Sequence, residues 1–308
     1  MCRRVSLSVL AVALLAVGCG GLTEGRPTGA ALTVVATTTQ MGDFVRAVGG
    51  ERVMVEQILG PNVDPHDYEP RPSDSIALGE ARVVFRSGGD LDEWLDDLID
   101  AAGGDSPVVQ GLDAVPTRGE PTAEDPHWWQ DPRNASAAVS AVSRALVEAD
   151  PEGRAVYERN ASAYRRRLER LDRSVASCIQ KVPPRQRKLV TTHDALGHYA
   201  DRYGLEVVGA LIPSLSGQAQ PSAKDTSELV AQIEELGVRA IFPESSLDPR
   251  LEEAVARESG ATVGEALWAD TLGPAGSGGA TYIESIQANT EAIVDGLSSG
   301  EVKCRPED

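Results

Sequence analysis

The sequence is poor in histidine and cysteine, with four of each among 308 residues. After its first twenty residues it has no apolar run of spanning length. A membrane-crossing helix needs about 20 consecutive apolar residues, so the body of the chain is not embedded in a bilayer. It has no His-Glu-x-x-His helix, the two-histidine zinc site of many metallohydrolases, and no acid stands out as a general base. Positive charge is also in deficit: 29 Lys and Arg face 47 Asp and Glu, a formal charge of −18, and the basic residues are nearly all arginine. That balance argues against a nucleic-acid partner and is compatible with a cation ligand.

The chain start carries an address. Arg3 and Arg4 precede an almost wholly apolar stretch, residues 5–17, which ends in Leu15-Ala16-Val17-Gly18-Cys19. The run is short for a membrane span and reads as a processing signal, residues 1–18, that resembles a bacterial lipoprotein signal cleaved before Cys19. An ordinary secretory signal with Cys19 incidental is the alternative. Acylation at Cys19 would add more than one chain, which stable anchoring requires. Residues 19–30, rich in Gly, Thr and Pro, read as a tether. Losing Arg3 and Arg4 removes two positive charges and no acids, taking −18 to −20.

Cys2 leaves with the signal and Cys19 would carry lipid, which leaves Cys178 and Cys304. In an oxidising compartment two cysteines read as one disulfide; two buried thiols are the alternative. A bond between them would clip the C-terminus to the end of a long helix and contribute roughly 4–5 kcal/mol in the chain-entropy account.

The mature length suits two modest lobes or one large domain, and the pattern of elements repeats. In the first half strands are expected at 32–38, 52–59, 82–86 and 107–112, with helices from 41, over 72–80 and over 91–101. In the second half strands are expected at 188–192, 206–212, 240–243 and 261–267, with helices over 195–203, 221–237 and 248–259. Short apolar strands alternating with helices indicate parallel sheets covered by helices. The fold class is therefore α/β, with two lobes of like topology, residues 31–150 and 183–308.

Between them, residues 151–182 read as one helix. Tyr157, Tyr164, Leu168, Leu171, Val175 and Cys178 share a face. Asp150 and Pro151 suit its start, and Pro183 and Pro184 end it. Roughly 28 residues at 1.5 Å each give about 40 Å, enough for a rigid strut along both lobes, so only small lobe movement is expected.

Three of the four histidines fall in loops or turns after strands: Asp64-Pro65-His66, Asp125-Pro126-His127 and Thr192-His193-Asp194. Asp270, in Trp268-Ala269-Asp270-Thr271, stands in the second half where His127 stands in the first. All four follow carboxyl ends of parallel strands, where open α/β sheets bind ligands. Three imidazoles and one carboxylate suit tetrahedral Zn²⁺, and a closed set of four favours binding over hydrolysis. Asp270 could instead cap a helix near Thr271. His198 lies five residues after His193, 140° away on a helix, and is left out. Glu244 could accept from a ligand or act as one. Asp67, Asp131 and Asp194 could orient imidazoles or serve turns and caps. Trp128 and Trp129 read as packing beside the site.

The segments Asp64-Pro65-His66-Asp67-Tyr68-Glu69-Pro70, Pro126-His127-Trp128-Trp129-Gln130-Asp131-Pro132 and His193-Asp194-Ala195-Leu196-Gly197 together resemble the cluster A-I metal-binding lipoproteins of zinc and manganese ABC importers. Pro221-Ser222-Ala223-Lys224-Asp225, Ile241-Phe242-Pro243-Glu244-Ser245-Ser246 and Trp268-Ala269-Asp270-Thr271-Leu272 add to the likeness, which covers residues 31 to about 298. It implies two (βα)4-type lobes joined by one backbone helix, with metal in the interlobe cleft held by His66, His127, His193 and Asp270. It also implies a non-enzymatic, monomeric receptor, anchored by Cys19 to the outer face of the cytoplasmic membrane, that delivers its ion to a permease and ATPase. Histidine at the third ligand position is associated with zinc in this family and a carboxylate with manganese, so His193 favours Zn²⁺, with Mn²⁺ as the alternative. Many zinc-specific members carry a histidine-rich loop before the second ligand; residues 117–125 here contain acids and no histidine. Rival classes are a surface adhesin with structural metal, an exported zinc hydrolase and a binder of chelated iron or another organic solute. Proton competition for imidazole implies that metal affinity falls below about pH 6.

Overall fold

The apolar run Leu32–Ala36 forms β1, an inner strand of a parallel sheet ordered β2-β1-β3-β4, with β2 Val53–Gln57, β3 Val84–Arg86 and β4 Val108–Gln110. The structure is a computed structural model describing residues 31–103, 105–116, 118–120, 123–212 and 221–308. The signal segment, Cys19 and the tether lie outside the described residues. Alternation along the strands divides the side chains between two faces. Val34, Ala36 and Phe85 join the cluster that holds Met41, Phe44 and Val48 of α1 (Thr39–Gly49). Val35 and Val84 pack with Leu78 of α2 (Pro72–Glu80) and Leu95 of α3 (Trp94–Ala102).

A two-residue hairpin, β5 (Gly119–Glu120) and β6 (Ala123–Glu124), precedes His127. Two helices follow, α4 (Pro132–Ala149) and α5 (Arg154–Gln180). α4 lies outside the expected helices, although Asp131 and Pro132 start it and Ala135, Val139, Val142 and Leu146 bury one face at steps of four, three and four. Asp131 caps it, accepting from Arg133 N at 2.8 Å. α5 buries the expected face, Tyr157 to Cys178, after a single 3-10 turn at Pro151–Gly153 whose start Asp150 caps.

The second half repeats the first. β7 (Lys188–Thr191) pairs in parallel with β8 (Glu206–Ala210), and β9 (Ala240–Ile241) with β10 (Thr262–Val263). A parallel bridge between Thr191 and Phe242, with Phe242 N donating to Val190 O at 2.9 Å, joins the two pairs in the order β8-β7-β9-β10. This is the strand permutation of the first sheet. α6 (Gly197–Tyr203), α7 (Ala223–Leu236) and α8 (Arg250–Ser259) connect the strands. The expected strand at 261–267 is broken: after β10 only Leu267 pairs again, with Glu244. At the break, Gly264 lies so close to the Phe242 ring that a Cβ would meet it at 2.7 Å.

α9 (Tyr282–Leu297) also lies outside the expected helices, although Thr281 and Glu284 form a reciprocal capping box at its start. It packs against α1 and α5, so one apolar cluster runs from Val34 and Phe44 through Leu168 to Tyr199 and Tyr282. The chain is thus α/β, with two parallel-sheet lobes and one long helix alongside both. Cys178 on α5 and Cys304 beyond α9 face each other with Cα atoms 5.5 Å apart and their sulfurs at bonding distance. Among the described residues no helix is long and apolar enough to cross a membrane.

Candidate metal centre

Each candidate side chain is aimed by a turn beyond a strand. In the loop after β2, the Asp64 carboxylate accepts from His66 N at 2.9 Å and fixes the turn Pro65–Asp67. After the β5–β6 hairpin, Asp125 accepts from His127 N at 3.0 Å and contacts His127 Nδ1 at 2.8 Å. His193 follows β7 directly; Thr191 Oγ1 donates to its carbonyl at 2.8 Å, and its Nδ1 lies 2.9 Å from Glu244 Oε2.

Asp270 sits on a loop tied to the other lobe. Ala269 O accepts from Trp129 Nε1 at 3.0 Å and Gln130 Nε2 at 2.8 Å. Thr271 Oγ1 accepts from Asn62 N at 3.2 Å, and Leu272 N donates to Thr39 Oγ1 at 2.8 Å.

These four side chains converge. Their ligand atoms all lie within 4.8 Å of one another, and the three rings are 5.3 to 5.9 Å apart by centroid. Each imidazole presents Nε2 to Asp270, at 3.4 Å for His66, 3.3 Å for His127 and 3.1 Å for His193. These approaches lack hydrogen-bond alignment: all three Nε2 atoms and Asp270 Oδ1 are buried without a partner. Orphaned buried polar atoms are rare and destabilising. Four of them facing one point fit a shared cation.

The electrostatics agree with that donor set. Burial opposes a charge on His127, but Asp270 and Asp125 outweigh it and push its pKa up to about 9. His193 is likewise raised well above the ordinary range, burial being overcome by Asp270 and Glu244. Asp270 itself is driven up by burial and then held well below the usual carboxylate range by His193 and His127. Burial, reinforced by the charge of Asp270, raises Glu244. A divalent ion at this point would take over the role of the imidazole protons as counter-charge to Asp270.

Other candidates fall elsewhere. His198 is buried beside Asn134 and the Asp125 carbonyl, each at 3.4 Å, and does not join the cluster. Glu244 contacts His193 and is outside the convergent set. Asp131 caps α4, and the carboxylates beside imidazole Nδ1 atoms are Asp125 at His127 and, as the sequence allowed, Glu244 at His193; among the described residues Asp67 and Asp194 make no such contact. A signal for Asp125 was present: Asp-Pro-His occurs twice, and in both copies the Asp carboxylate accepts from the His amide. Trp129 packs edge-on to His127, centroids 5.5 Å apart.

A family model described as zinc-uptake complex component A, periplasmic, matches residues 34–296. The chain belongs to that family. Its members are solute-binding proteins of metal ABC importers, and this chain is one of them, not an enzyme. The manganese-binding lipoprotein MntA of Halalkalibacterium halodurans is 32% identical over 95% of this chain and 98% of its own length. The iron-binding protein YfeA of Yersinia pestis is 29% identical over 90% of each chain. Among solved structures, the periplasmic zinc binding protein TroA of Treponema pallidum superposes with a TM-score of 0.81 at 30% identity, covering 87% of this chain and 99% of that one.

Proposed function

We propose that this solute-binding protein captures Zn²⁺ outside the cytoplasmic membrane, through His66, His127, His193 and Asp270, and passes it to a permease and its ATPase. The observation that carries the reading is the convergence of three partnerless Nε2 atoms and Asp270 within 4.8 Å. Imidazole suits zinc, whereas harder oxygen ligands suit manganese, and only one of the four donors is an oxygen. The zinc-binding TroA likeness points the same way. Mn²⁺ is the second reading, favoured by the manganese-binding MntA relative.

The same reading has Cys19 lipidated and residues 19–30 as a tether, with residues 31–150 and 183–308 as the lobes and 151–182 as the linking helix. It has Cys178 and Cys304 joined as a disulfide and the receptor acting as a monomer. The soluble form from residue 20, prepared metal-free, is to be titrated with Zn²⁺ and Mn²⁺ against a competing chelator. One tight Zn²⁺ per chain, held much more weakly by His66→Ala and His127→Ala, supports the proposal. Tighter or equal Mn²⁺ binding moves the assignment to manganese, and no tight metal at all removes the receptor reading.

A further inference from the structure

Arg118, immediately before β5 of the hairpin that precedes His127, is not a ligand and was not singled out by its sequence. Its guanidinium joins the two lobes. Nη1 donates to Asp125 Oδ2 at 2.8 Å, and Nε donates to Asp201 Oδ2 on α6 of the opposite lobe at 2.8 Å. Asp125 is buried and serves two groups at once: one oxygen takes Arg118, while the other holds the amide and Nδ1 of His127. Asp125 N also donates to Arg118 O at 2.8 Å, which ties together the two ends of the β5–β6 hairpin from which these side chains project. The guanidinium lies on Gly197, the first residue of α6 and four residues after His193; a Cβ there would stand 2.1 Å from Arg118 Nη1. A glycine at this point leaves room for the arginine to cross the cleft.

We propose that Arg118 is a positioning residue and interlobe latch: closure onto Asp201 and Gly197 sets Asp125, and through it aims His127 Nε2 at the metal. This rests on the metal-receptor reading. A carboxylate hydrogen-bonded to the remote nitrogen of a metal-binding imidazole fixes its tautomer and ring orientation, and loss of such a partner typically costs 10–100-fold in metal affinity. Arg118 acts one step further out and only when the lobes meet, so its effect falls mainly on release of the ion.

The experiment is stopped-flow Zn²⁺ release from the loaded protein into excess chelator, with Co²⁺ absorption spectra as the report on ligand geometry. Arg118→Ala is expected to speed release about tenfold. Asp201→Asn, which leaves the arginine charge in place, should speed it about threefold, in keeping with an exposed ion pair. Gly197→Ala pushes the guanidinium off the cleft while improving helix propensity; it should speed release with no loss of thermal stability. Arg118→Lys should restore part of the Arg118→Ala loss, and Arg118→Ala should have no further effect on release in a His127→Ala background. Unchanged release in folded Arg118→Ala overturns the latch. So does an effect of equal size in the His127→Ala background, which would mark Arg118 as a general stabiliser. Wild-type protein that binds neither Zn²⁺ nor Mn²⁺ overturns the receptor reading and the latch with it, whereas wild-type binding with unaltered variant release overturns the latch alone.

Discussion

Asp270 Oδ2 lies 3.1 Å from Nε2 of His193, although the loop that carries Asp270 is hydrogen-bonded to the lobe opposite the one that carries His193. The carboxylate is therefore held from both sides of the cleft, and it is the one negative charge that all three imidazoles face.

Asp270→Asn should lower Zn²⁺ affinity by at least about 100-fold, beyond the range seen when a mere supporting hydrogen bond is lost. In the metal-free protein the same substitution should bring the His127 pKa down from about 9, because Asp270 is the largest influence raising it. Chelator competition and imidazole NMR titration check the two effects separately. A His127 pKa unmoved by Asp270→Asn would contradict the assigned pairing.

The pH dependence should take opposite signs in the metal-free and loaded states. The folded pKa of His127, about 9, lies above the ordinary imidazole value of 6.5. Its charged form therefore stabilises the metal-free fold fully below about pH 6.5, and that contribution disappears as pH rises through about 9. Metal-free protein should lose thermal stability across this window. Zn²⁺ affinity should instead rise across it, because binding expels the imidazole protons. The raised pKa moves proton competition well above the pH 6 expected for an ordinary histidine. Calorimetry in buffers of different ionisation enthalpy counts the protons released; none released at pH 7.5 would contradict this account.

Glu244→Gln keeps the shape but removes the buried charge beside His193 Nδ1. Zn²⁺ affinity should fall about 10–100-fold. Unaltered affinity would show that packing alone orients His193.

Breaking the Cys178–Cys304 link by a paired change to serine should destabilise the fold by about 2–5 kcal/mol, read from urea unfolding, while Zn²⁺ affinity stays within about twofold. The tail is held in other ways as well: Ser174 Oγ accepts from Glu307 N and Pro306 O accepts from Gln287. Loss at the lower end of that range is therefore expected.

The site was more legible in the sequence than its surroundings. His66, His127 and His193 stand out because histidine is scarce and each follows a strand, and strand–helix alternation exposes two parallel sheets of like order. What stayed hidden has physical causes. α4 carries alanine on its buried face and beyond it, Ala135 and Ala138 against Ala137 and Ala141, which blurs the edge of its stripe. α9 announces itself only through Thr281 and Glu284. Asp125 is a common acid whose role depends on distances that the chain order does not display, although the repeated Asp-Pro-His pointed to it, whereas Glu244 was already a candidate acceptor. Arg118 crosses to Asp201, 83 residues away, and no local pattern records such a contact.

The most direct test of the central claim is zinc K-edge X-ray absorption on the loaded protein and on His127→Ala. The account predicts about four nitrogen or oxygen neighbours near 2.0–2.1 Å with no sulfur, the outer-shell signature of three imidazoles, and loss of one imidazole in the variant. A sulfur neighbour near about 2.3 Å, or an imidazole count that His127→Ala leaves unchanged, would contradict it.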